Sequence, residues 1–173
     1  SSGLSGGICA ENFGTIDTCF VRADGAEIDI SSRGVAAAGA ICAVNRTGAV
    51  VSGSAPGAGV RVASDNARIF GALVGDNYGT VRATVITQQP TYKANSGALT
   101  VGGAVGRNSS GGVVDAITVS AKFENFTGYR LLGGVVGENS TGATTPVVQN
   151  CTFSGTITRE SSSAAGDCYG GIA

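Results

Sequence analysis

The 173-residue chain has no histidine, no methionine, no tryptophan and only 3 prolines. Without histidine there is no Ser-His-Asp or Cys-His catalytic arrangement, and no imidazole to ligate a metal. Charge is scarce too: 13% of residues are charged, against about 25% in an average domain, and the formal net charge is −1. That balance offers neither a nucleic-acid footprint nor a basic membrane-binding surface. No run of about eighteen apolar residues is present, so no segment reads as a spanning helix. Strong helix formers are few, which leaves β-structure as the class to test.

What the chain has is glycine, 29 residues of it, interleaved with Val, Ile, Ser and Thr. A disordered Gly-rich chain would lack the regular β-branched residues found here. Five stretches share one pattern: GGICAENFGTI at 6–16, GAICAVNRTGAV at 39–50, GALVGDNYGTV at 71–81, GGAVGRNSSGGVV at 102–114 and GGVVGENSTGA at 133–143. Their common asparagines are Asn12, Asn45, Asn77, Asn108 and Asn139, spaced 33, 32, 31 and 31 residues apart, and a sixth copy opens at YGGIA, 169–173. A fixed period of this size marks a repeat architecture. Segments such as GTVRATVITQ and GVVDAITVSAKF are β-branched and bounded by turn residues, and each unit has room for about three short strands. The expected fold is therefore all-β: a β-solenoid of about 5–6 coils with roughly three strands per coil and a period of 31–37 residues, one domain over 1–173.

Stacking such coils about 4.8 Å apart lines equivalent residues up in columns. Gly6, Gly39, Gly71, Gly102 and Gly133 form one, which predicts a corner needing positive φ or no side chain. Two adjacent columns are apolar: Ile8, Ile41, Leu73, Ala104, Val135, followed by Cys9, Cys42, Val74, Val105, Val136. In a regular strand one of them would face outward as an apolar stripe; a corner between them would bury both. The asparagine column suits turns that need the left-handed region or a side-chain bond to the backbone, and stacked amides can form a ladder.

The pattern G-(G/A)-(I/L/V)-V-G-x-N-x-G-x-(I/V), clearest in GALVGDNYGTV and GGVVGENSTG, resembles the GLUG repeat of large bacterial surface and adhesin-like proteins. The further cysteine of that repeat resembles Cys19 in GTIDTCF and Cys151 in VVQNCTF. The resemblance implies a secreted or surface-displayed β-solenoid and carries no agreed enzymatic activity. Cys9 and Cys42 depart from it, standing where valine is usual.

The absence of methionine and the opening Ser-Ser-Gly lead to the expectation of a mature, exported chain, with which five cysteines and five N-x-S/T sequons agree. Cys9 and Cys42, neighbours in one column, are disulfide candidates, as are Cys151 and Cys168 in the last full coil. Cys19 is then left over, either as a buried thiol or as an intermolecular link. Of the sequon asparagines, Asn45, Asn108 and Asn139 belong to the repeat turn. Asn125, in a turn-like stretch, and Asn150 lie outside it, and all five are candidate glycosylation sites.

No catalytic residue, metal or cofactor is expected. Glu11, Asp76 and Glu138 share a column interrupted by Val44 and Arg107, with carboxylates two coils and so about 10 Å apart, too far for a glycosidase pair. They read as charges on a solvated turn. Arg68, Arg130, Tyr78, Tyr92, Tyr129 and Tyr169 are the residues from which a sugar-binding face could be built. Thr15, Thr80 and Thr84 do not recur in every coil as a flat ice-binding column requires. Repeat-like sequence near both ends favours self-association through open edges, head-to-tail or side-by-side. The leading expectation is an extracellular structural protein, adhesin-like or fibre-forming; the alternative is a polysaccharide-binding or polysaccharide-cleaving solenoid.

Overall fold

The computed structural model describes residues 3–22, 28–29, 35–57, 60–61, 68–86, 100–120, 122–126, 131–159 and 168–173, with backbone alone at 28–29, 35, 60–61, 122–126 and 158–159. Every strand pair in it is parallel, and among the described residues there is no helix. The chain is a β-solenoid. Wall 1 stacks Gly3–Gly6, Val35–Gly39, Ile69–Gly71, Thr100–Gly102, Leu131–Gly133 and Cys168–Gly170. Wall 2 stacks Cys9–Asn12, Cys42–Asn45, Val74–Asn77, Val105–Asn108 and Val136–Asn139. Wall 3 stacks Thr15–Asp17, Val50–Ser52, Thr80–Ile86, Val113–Val119 and Val147–Gln149, with Thr152–Phe153 continuing the last rung. Beyond wall 3, Ile28–Asp29 pairs with Val60–Arg61, and Lys122–Phe126 pairs with Thr156–Arg159.

A parallel rung buries its inward column between neighbours above and below, so β-branched and apolar residues recur at fixed places. Ala38, Phe70, Val101 and Leu132 enter the core from wall 1; Val51, Val81 and Val114 enter it from wall 3. Each of these Phe, Val and Leu side chains contributes about 1.5–3 kcal/mol by burial. From the second coil onward the two adjacent apolar columns at the wall 1–wall 2 junction are both interior, while at the first rung Ile8 is 45% exposed and Cys9 half-buried. Ile41, Leu73, Ala104 and Val135 are fully buried, and so are Cys42, Val74, Val105 and Val136. The chain bends between them, so the strand alternation that would have turned one column outward is broken, and the apolar stripe is absent.

That bend is also what the glycine column is for. No member of the column has positive φ. At Gly102 an added Cβ would lie 1.8 Å from the carbonyl oxygen of Val105, and at Gly71 it would lie 2.2 Å from that of Val74. The strand ends of walls 1 and 2 approach too closely for any side chain, and glycine is selected by space.

A second bend lies in the middle of wall 3, and sequence patterning did not point to it. Thr18, Gly53, Ala83, Ala116 and Asn150 all have φ of 52–54°, one left-handed residue per coil at equivalent positions. The residue after each turns back into the core: Cys19, Ser54, Thr84, Ile117 and Cys151.

Candidate functional site

The feature that runs the length of the solenoid is the turn from wall 2 to wall 3. Asn12, Asn45, Asn77, Asn108 and Asn139 are register partners in successive rungs. The Nδ2 of each donates to the Oδ1 of the next, at 2.9, 2.8, 2.8 and 2.9 Å. The same nitrogen also serves the backbone. In Asn77 it donates to Gly79 O at 3.1 Å and Val113 O at 3.3 Å, while Asn77 Oδ1 accepts Gly79 N–H at 3.2 Å. Asn45, Asn77 and Asn108 are fully buried. Buried amides are tolerated only with their hydrogen bonds made, and here the neighbouring coil makes them.

This geometry bears on the sequon candidates. At Asn45 and Asn108 the nitrogen to which a glycan would attach is enclosed in the ladder, so these two are unsuited to modification. Asn139 and Asn150 are exposed; Asn150 Nδ2 donates to Asp115 at 2.8 Å. Asn125 lies within the strand Lys122–Phe126 and not in a turn.

Immediately before the ladder stands the charged column, and it is not simply a solvated one. Asp76 is 5% exposed. Arg107, its partner in the next rung, pairs with it through Nε and Nη2. Ser109 Oγ donates to Asp76 Oδ1 at 2.6 Å, and Tyr78 Oη donates to Oδ2 at 3.2 Å. The hydrogen bonds to Asp76 push the Arg107 guanidinium above its ordinary pKa, against a smaller opposing effect of burial, with Glu138 adding attraction. One rung further, Thr100 Oγ1 donates to Glu138 at 3.5 Å. At the other end Arg46 bridges to Glu11 at 2.9 Å and lies over the Phe13 ring. Charges of opposite sign sit in adjacent rungs, so the column is a stacking device. Asp76 has its acceptor sites taken by three residues, which leaves it poorly placed to act on a substrate.

Among the described residues, the aromatic and cationic side chains considered for a sugar face do not come together. Tyr78 belongs to the Asp76 cluster, Tyr169 packs against the core, and Arg68 immediately precedes the wall 1 strand Ile69–Gly71. Tyr92, Tyr129 and Arg130 lie outside the described residues.

All five cysteines are thiols, which for Cys19 is one of the two states expected. Cys9 and Cys42 are register partners, but parallel in-register strands hold their Cβ atoms side by side at about the rung spacing of 4.8 Å, whereas a disulfide needs Cβ atoms about 3.8 Å apart. Cys151 and Cys168 sit on different walls, the first at the wall 3 bend and the second on the sixth rung of wall 1. Cys19 has a local role: its thiol donates to Asp17 O at 3.3 Å, as Cys151 does to Gln149 O at 3.1 Å. Ser54 and Thr84 donate to Ser52 O and Arg82 O from the same column. A small donor two residues after a carbonyl braces the left-handed bend, and Cys19 is one of four residues doing so.

No curated protein and no solved structure matches the chain. The GLUG motif matches residues 128–158. This stretch contains the wall 1 glycine Gly133, the ladder residue Asn139 and the bend cysteine Cys151. The matched stretch is one coil of a stack whose other coils repeat the same glycine corner and amide turn, and the chain is a β-solenoid that carries the GLUG motif.

Proposed function

We propose that this chain is a non-enzymatic extracellular scaffold, adhesin-like, that associates end to end with further coils of its own kind. The observation that carries this reading is the polarity of the amide ladder. Along its length every Oδ1 from Asn45 to Asn139 accepts the amide of the rung before. At the first rung Asn12 Oδ1 accepts Gly14 N–H at 3.1 Å; at the last, Asn139 Nδ2 reaches Pro146 O at 3.5 Å. One end thus presents an acceptor and the other a weakly engaged donor, and a coil bearing asparagine in register complements either. The parallel edges of walls 2 and 3 offer the same register to an incoming strand.

Wall 1 sets a condition on such stacking. It has six rungs where wall 2 has five. If one copy stacks on another in register, Gly3–Gly6 of the incoming copy claims the rung that Cys168–Gly170 already holds. Association then proceeds by exchange, one of these two strands giving way. Sedimentation velocity and negative-stain imaging of the chain, with and without residues 168–173, test this. The expected result is concentration-dependent linear assembly, stronger in the shortened chain. A clean monomer in both at high concentration overturns the end-to-end reading.

A further inference from the structure

Two thiols interrupt a column that is otherwise valine. Cys9 and Cys42 occupy the wall 2 position held by Val74, Val105 and Val136 in the later coils, and neither braces a bend as Cys19 and Cys151 do. Cys42 is fully buried against Ile41 and Val74, while Cys9 is half-buried and opens the pair to solvent. The two side chains stand one above the other on adjacent rungs.

Their spacing has a chemical meaning. Side chains repeated in register on adjacent parallel rungs stand about 4.8 Å apart. A disulfide would need the two Cβ atoms drawn in to about 3.8 Å. The rung spacing is close to twice a metal–thiolate bond of about 2.3 Å, a sulphur separation of roughly 4.6 Å with the ion between the two. We propose that Cys9 and Cys42 form a two-coordinate site for a soft, thiophilic monovalent cation, Cu(I), held as a linear dithiolate between the first two coils.

The surroundings select among metals. Zinc in a structural site takes four ligands, and among the described residues no group of three or more Cys, Asp or Glu converges. The hard cations want oxygen, which the Ile41 and Val74 neighbourhood lacks. Sulphur ligands without carboxylate or imidazole favour Cu(I). Burial raises both thiols above their ordinary pKa, so only an ion that competes strongly with the proton enters. Binding exchanges the thiol protons for the metal and releases them to solvent.

The test is anaerobic titration of the reduced full-length chain with Cu(I) against a chromophoric Cu(I) chelator, followed by X-ray absorption at the copper edge. The background is C19S/C151S/C168S; Ser54 shows that the bend column accepts serine. In that background one Cu(I) per chain with two sulphur neighbours is expected. C9V and C42V, which install the residue native to the later coils, each lower the affinity by more than the roughly 100-fold cost of losing an outer-shell partner. Circular dichroism confirms that these two variants fold. Unchanged Cu(I) affinity in folded C42V overturns the site, as does a shell of three or more sulphur, nitrogen or oxygen neighbours. A Cys9–Cys42 disulfide in the protein as purified, found by non-reducing mass spectrometry, also overturns it.

Discussion

The solenoid turns at two places in every coil by opposite means. Between walls 2 and 3, five asparagines repeat without substitution, and their amides bond one coil to the next. In the middle of wall 3, the left-handed position is filled by Thr18, Gly53, Ala83, Ala116 and Asn150, residues with no chemistry in common. In the first turn a side chain makes the connection, so its identity is fixed. In the second the backbone makes it: Thr18 N–H donates to Ser52 O at 3.0 Å and Gly53 N–H to Arg82 O at 3.3 Å. The residue there only has to tolerate its dihedral angles, at a cost of about 1–2 kcal/mol for an ordinary L-residue.

The sharpest way to break this comparison is to remove a central rung of the ladder. Asn77→Ala strands the buried Asn108 Oδ1, takes from Asn45 Nδ2 its shortest acceptor while Ala49 O and Thr80 O remain, and frees the Gly79 turn. An unsatisfied buried polar group costs about 1–3 kcal/mol and a lost hydrogen bond about 1 kcal/mol, so the expected loss is about 3 kcal/mol. At this chain length that is a fall in Tm of about 6–12 °C by calorimetry. Asn139→Ala, exposed and at the end of the ladder, is expected to cost about 1 kcal/mol. Equal losses at the two positions would show that the ladder does not act through its buried middle.

Legibility in sequence follows the same division. The ladder, the apolar columns and the register were readable because each depends on a side chain that only one or a few residue types supply. The glycine corner was readable in position, but its cause, a carbonyl oxygen about where Cβ would be, was not. The wall 3 bend could not be read from identity at its apex, since Thr, Gly, Ala and Asn all appear there. Its trace was one position further on, where Cys19, Ser54, Thr84 and Cys151 share a small hydrogen-bond donor. Asp76 was misread as solvated because its column shows Arg107 but not Tyr78 from its own coil or Ser109 from the next, which also close on its carboxylate.

The corner between walls 1 and 2 lies between these extremes, being fixed by space alone, and Cys42 reports on it through pH. Burial first, and then the neighbouring Cys9 thiol, raise the Cys42 pKa above the ordinary thiol value of 9.0. Below about pH 9 thiol and unfolded chain carry the same proton, and its full contribution is present. Above it the unfolded thiol ionises while the folded one does not, so stability falls as pH rises, by at most about 1.4 kcal/mol per pH unit for one group. Urea unfolding of the reduced protein between pH 8 and pH 10 is expected to show a smaller loss for C42V than for the parent. Parallel slopes would place Cys42 in a wetter corner than the packing describes.

Within the wall 3 bend, the bracing donor is expected to matter less than a ladder rung. Thr84 is 2% exposed and donates to Arg82 O at 3.2 Å. Thr84→Val keeps the shape and removes the donor, for a loss of about 1 kcal/mol in urea unfolding. Ile117 already occupies the same column without a donor, so the bend survives the change. A loss as large as that of Asn77→Ala would mean that the bend, too, is held by side chains.

The smallest effect has the opposite sign. Ala116 is exposed, so its side chain contributes little packing, yet its φ is 53°. Glycine relieves the left-handed penalty of about 1–2 kcal/mol but gives back about 0.5–1 kcal/mol in chain entropy. Ala116→Gly is therefore expected to stabilise by about 0.5 kcal/mol. Ala116→Val, β-branched where φ is positive, is expected to destabilise by more than that gain. Ala116→Asn should fall close to the parent, since Asn150 already fills the equivalent place. If Gly, Asn and Val rank in that order by Tm, the bend is a backbone device indifferent to side-chain chemistry, whereas the ladder turn admits asparagine alone.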